Sequence, residues 1–180
     1  MSLKHEILNR ILELEGEAFT DNPKDSGGPT KWGITETVAR QFGYTGRMQD
    51  LTRDQAFEIL EKRYWLPIRG DELAALDYSL AKEVADSAVN CGVNRAVKWL
   101  QRALNALNKE RTLYSDVVVD GDLGSKTVDA LRAYLKTRKA VVLHRALNAL
   151  QGEHYIMLSE KREKDESFVY GWFMHRVEPM

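Results

Sequence analysis

Two glutamates, Glu15 and Glu17, open the stretch EGEAFTDNPKDSGGPTKWGIT, and Asp21 and Asp25 follow within ten residues. Paired carboxylates at such a spacing can divide the work of glycoside cleavage. One protonates the leaving oxygen, and the other positions water or steadies the oxocarbenium-like charge. Glycines 27, 28 and 33 surround Thr30 and Trp32, and their backbone freedom lets the chain return tightly beneath the helix that precedes it.

Helical phase separates the two opening glutamates. At about 100° per residue, Leu3, Ile7, Leu8, Ile11, Leu12 and Leu14 fill one broad arc, with Glu6, Glu13 and Glu17 on the polar side. Glu15 continues the row Ile7–Ile11 inside the apolar arc. Partial burial there favours the neutral, proton-carrying form that a general acid needs. The bland reading is a helix end, where phase no longer governs burial.

The elements that must position these groups read as mainly α. After the first helix comes one over Thr52–Trp65, capped by Thr52, with Ala56, Ile59, Leu60 and Tyr64 facing inward. Further helices are expected over Leu73–Asn90 and after Asn94. Ser125 is expected to cap the next, and helical pattern runs on to Lys164 with a break near Thr137. Strand content is confined to the Gly-rich stretch and Val117–Val119. The fold class is mainly α (α+β), a helical bundle with a small β-hairpin or loop element near the N-terminus.

The formal net charge of −1 gives no electrostatic footing for nucleic acid. A single cysteine, Cys91, excludes an internal disulfide. The four histidines show no metal-ligand spacing, and DVVVDGDLG lacks the ligand pattern of a calcium loop. No metal or cofactor is expected. The N-terminus lacks the uncharged apolar run of a signal peptide, so a protein made in the cytoplasm and delivered outward by other machinery is expected, and a monomer is favoured. Trp32 either stacks on a sugar or packs the β-loop onto the helix. Asn90 either hydrogen-bonds an acetamido group or simply ends its helix.

The quoted stretch resembles the signature of the glycoside hydrolase family 108 muramidases, which include phage endolysins and proteins labelled secretion activators. The family pattern reads Glu-Gly-Gly, Asn-Asp-Pro, Asp-x-Gly-Gly, Thr and Gly-Ile-Thr. SAVNCGVNRAVKWLQRALN resembles its Asn-x-Gly segment and following helix, VVVDGDLGSKTVDAL its predicted peptidoglycan-binding segment, and FVYGWFMHR its closing element. Two departures stand out: the usual second glycine is Glu17, and the segment before Asp25 is one residue longer.

This resemblance implies a lysozyme-like fold, with a lysozyme-like catalytic region over 1–93 and a helical peptidoglycan-binding region over 94–180, packed as one unit. It implies cleavage of the β-1,4 bond between N-acetylmuramic acid and N-acetylglucosamine. Glu15 is then the proton donor and Asp25 and Thr30 hold the attacking water, while Trp32, Gly33 and Asn90 are the candidate substrate contacts. The implied partners are peptidoglycan glycan strands and a holin or export machinery, with action at the cell wall. A lytic transglycosylase and a non-catalytic wall-binding or secretion-accessory protein are the alternatives.

Overall fold

The computed structural model describes residues 2–21 and 28–177, and the chain forms two compact units, Met1–Pro67 and Ile68–Met180. In the first, α1 (Leu3–Glu15) starts at Ser2, whose hydroxyl accepts the His5 amide, and buries Leu3, Leu8 and Leu12. A hairpin follows. Strand β1 (Thr30–Lys31) pairs antiparallel with β2 (Ile34–Thr35), Thr30 opposite Thr35, and a bridge adds Thr20 beside Thr30. Thr35 also caps α2 (Glu36–Gln41) by accepting the Val38 amide.

Helix α3 (Arg53–Leu60) opens with a capping box between Thr52 and Gln55, satisfying two donors that a helix start leaves open. It buries Ala56, Ile59 and Leu60 as the periodicity requires, then loosens into a π-helical turn over Glu61–Trp65. Helix α1 packs on both, and Lys4 reaches Glu61 at 2.7 Å. Trp65 is core, 1% exposed, and Tyr64 is half-buried.

The second unit is built around α5. The helix expected over Leu73–Asn90 is two helices, α4 (Gly70–Leu76) and α5 (Tyr78–Cys91). Asp77 divides them: its extended backbone ends one, and its side chain accepts the Leu80 amide to start the other. Helix α6 (Val93–Ala106) packs against α5, and α7 (Ser125–Thr137) against α6. Ser125 is the first residue of α7 rather than its cap, which is Gly124. The break near Thr137 separates α7 from α8 (Ala140–Lys161), and α9 (Glu166–Arg176) packs on α8. Tyr155 of α8 meets Trp172 of α9 ring to ring, tilted by 36° with centroids 5.0 Å apart.

Val117–Val119 is not a strand. The Asn105 amide takes the place of a neighbouring strand, donating to the Val117 carbonyl and accepting its N–H, both at 2.8 Å. Farther on, buried Gln101 clasps the DGDLG turn. Its Nε2 donates to Asp120 Oδ1 and the Asp122 carbonyl, while its Oε1 accepts the Gly121 amide. The Asp122 N–H and then Gln101 hold the Asp120 carboxyl below its ordinary range. A Cβ at Gly121 would lie 2.2 Å from Asn94 Nδ2, so the glycine in this motif has a packing reason.

Burial, and secondarily the Arg95 cation, hold the His154 imidazole below its ordinary 6.5. The unfolded chain therefore takes up a proton that the fold resists. Stability is full above 6.5 and is withdrawn as pH falls through it toward the lower folded value. His154 lies edge-on to Trp99, ring centroids 5.6 Å apart. His154→Phe keeps a ring there and is expected to flatten the decline in melting temperature between about pH 7 and pH 5. Scanning calorimetry of both proteins across that range is the check.

Candidate functional site

Glu15 is the last residue of α1, and Gly16 ends the helix at φ +69°. The expected partial burial of Glu15 is not found: its side chain is exposed, as is Leu14 at 70%. Phase was read correctly as far as Leu12. Beyond it Leu14 and Glu15 are both exposed although they share that phase, so an inward phase no longer means burial at the helix end.

What Glu15 meets instead is the hairpin. A Cβ built on Gly33 would lie 2.5 Å from Glu15 Cγ, 2.8 Å from Cδ and 2.9 Å from Cβ. Only a residue without a side chain fits this contact. Gly33 also has φ +68°, and Trp32 before it φ +55°. Positive φ at both central residues of a two-residue loop is the type I′ pattern, whose twist matches that of the flanking strands. One glycine thus closes the hairpin and admits the glutamate.

Thr30 stands at the start of β1, half-buried, and its hydroxyl donates to the Gly28 carbonyl at 3.0 Å. With its proton so committed, Oγ1 presents lone pairs, which suits it to accept a hydrogen bond from water. Trp32 is half-buried, and its indole N–H donates to the Leu51 carbonyl at 3.1 Å. Asp25 lies outside the described residues.

Glu15, Thr30, Trp32 and Gly33 therefore share one unit, with Glu15 and Gly33 in direct contact. Asn90 is in the other unit, half-buried near the end of α5, where its side chain donates to Asp86 at 2.8 Å. Sequence reasoning missed Thr20, which exchanges backbone hydrogen bonds with Thr30 at 2.9 and 2.8 Å. A single β-branched residue among polar ones was its only signal. Reasoning also passed over Lys31, whose Nζ donates to the Gln49 carbonyl at 2.7 Å.

A cleft of about 310 Å³ in this unit is lined by Phe19, Asp21, Pro29, Glu36, Arg40 and Met48, among others, and of the described residues Glu15, Thr30, Trp32 and Gly33 none lines it. In the second unit a largely apolar groove of about 800 Å³ runs beside α8 and α9, past Gly152, Ile156, Met157 and Phe173. Among the described residues no group of three or more His, Cys, Asp or Glu side chains could hold a metal ion. No helix there is long and apolar enough to cross a membrane.

Residues 8–92 match the family model described as glycosyl hydrolase 108, and residues 95–177 match that of a predicted peptidoglycan domain. Among solved structures the chain is similar to Brucella abortus SagA. The two are 25% identical with a TM-score of 0.65, over 97% of this chain and 88% of that one. No curated protein matches.

Proposed function

We propose, from the match of residues 8–92 to glycosyl hydrolase 108 and of residues 95–177 to a predicted peptidoglycan domain, that the chain is a peptidoglycan hydrolase, and specifically an N-acetylmuramidase with Glu15 as its proton donor. It cleaves the β-1,4 bond between N-acetylmuramic acid and N-acetylglucosamine. The observation that carries this reading is the seat of Glu15 against Gly33. It brings a solvent-accessible carboxyl at a helix end to the hairpin that holds Thr30.

In this mechanism Glu15 delivers its proton to the glycosidic oxygen as the bond to the anomeric carbon breaks. Asp25 and Thr30 orient the water that adds to that carbon, the Thr30 oxygen accepting a hydrogen bond from it and the Asp25 carboxylate taking up the proton it gives up. Trp32 and Gly33 shape the wall beside Glu15. The protein acts at the cell wall as a monomer, reached through a holin-like partner or export machinery.

Mass spectrometry of digested sacculi tests the reaction. Reducing muramic ends are the expected product. Products ending in 1,6-anhydromuramic acid would assign a lytic transglycosylase instead, and tight sacculus binding with no new ends would assign a non-catalytic wall binder.

A further inference from the structure

We propose that Trp32 is a positioning residue that holds the Glu15 carboxyl in place through Gly33, and that it does not act by stacking on substrate. This rests on Glu15 being the proton donor.

The first ground is the backbone. Trp32 has φ +55°, a left-handed conformation that is a genuine outlier for a bulky side chain. At this position of a type I′ turn Asn, Asp or Gly closes the hairpin with least strain. Turn formation alone therefore works against Trp32, and such strain persists only where the surroundings over-determine it.

The surroundings do so here. The indole N–H is bonded to the carbonyl of Leu51, which is completely buried. Leu51 follows the short helical turn Met48–Asp50 and directly precedes the Thr52 capping box of α3. The residue before Trp32 is tied to the same segment, because Lys31 Nζ donates to the Gln49 carbonyl at 2.7 Å. Two successive hairpin residues are thus anchored to Gln49–Leu51, and the next residue, Gly33, is the one pressed on Glu15.

Glu15 needs such a wall. It is exposed, at a helix end, and a free glutamate spreads over many rotamers. Against a fixed Gly33 backbone its stem has fewer places to go, and a proton donor displaced by about 1 Å can lose about a hundredfold in rate. The indole donor is already used, so Trp32 has no N–H to offer a sugar.

Two variants test this with soluble, uncross-linked glycan strands. Trp32→Phe keeps an aromatic face and removes the donor. Trp32→Asn removes the face and supplies a residue the turn accepts. Both are expected to lower kcat about ten- to a hundredfold with KM within about twofold, and circular dichroism should be unchanged. In Trp32→Asn the relaxed turn offsets the lost indole bond, so melting temperature should hold while kcat falls. Wild-type kcat in both variants overturns the proposal. So does a loss confined to KM that Phe restores, since that is the signature of stacking. If Glu15→Gln is itself fully active, the acid assignment falls and takes this proposal with it. A dead Glu15→Gln beside fully active Trp32 variants removes the positioning role alone.

Discussion

Glu15→Gln is expected to release reducing ends from sacculi about 10²- to 10⁴-fold more slowly than the wild type, the usual contribution of a general acid. The substitution keeps shape and hydrogen-bonding reach but removes the transferable proton. No folding penalty should accompany it. Glu15 is exposed, and it sits with Glu13 in a last turn that carries no basic residue. The negative end of a helix repels carboxylates, so neutralising one there slightly raises stability. A variant that melts no lower than wild type yet fails to cleave assigns the carboxyl to chemistry. Glu17→Gln is the control: Glu17 is exposed beyond the helix end, and its loss should cost little activity. Wild-type rates in Glu15→Gln would remove the assignment.

That electrostatic oddity was partly legible in the sequence. Helical phase singled out Glu15 from Glu17, and α1 does bury Leu3, Leu8 and Leu12. Phase alone, however, says which way a side chain points and not what stands there, so the burial expected for Glu15 did not follow. Local signals with their own hydrogen bonds fared best. Thr52 caps α3 as read, because its partner Gln55 is three residues on. Asp77 was overlooked because apolar residues on both sides keep helical spacing across it, although its side chain starts a new helix.

Long-range polar substitutions for a regular partner were beyond reach. Three successive valines look like a strand until Asn105, twelve residues earlier, supplies both halves of the pairing. The contact of Gly33 with Glu15 spans eighteen positions and shows in sequence only as a glycine in a turn. In the DGDLG segment, residues that resemble part of a predicted peptidoglycan-binding segment are engaged by Gln101. A motif carried by resemblance can therefore record how a turn is held as much as what it binds.

Gly33→Ala should be nearly as damaging to activity as the loss of the carboxyl itself. Two separable effects combine. A Cβ at φ +68° meets left-handed strain, which costs about 1–2 kcal/mol of stability. The same Cβ would stand 2.5–2.9 Å from three carbons of Glu15. The carboxyl can swing away, but Glu15 Cβ is fixed to the helix, so the end of α1 or the hairpin tip must also shift. Because Glu15 faces solvent, that retreat is cheap for the fold and expensive for the reaction: a proton donor moved by about 1 Å loses about a hundredfold. Gly43→Ala isolates the first effect, since Gly43 has φ +89° with nothing within 4 Å of its built Cβ. It should lower the melting temperature comparably and leave cleavage intact. Gly33→Asn isolates the second, because Asn tolerates the left-handed region yet still carries a Cβ. It should melt higher than Gly33→Ala and be equally slow. Should Gly33→Asn cleave at the wild-type rate, the contact between this glycine and Glu15 would have no part in catalysis, and the hairpin would owe its glycine to the turn alone.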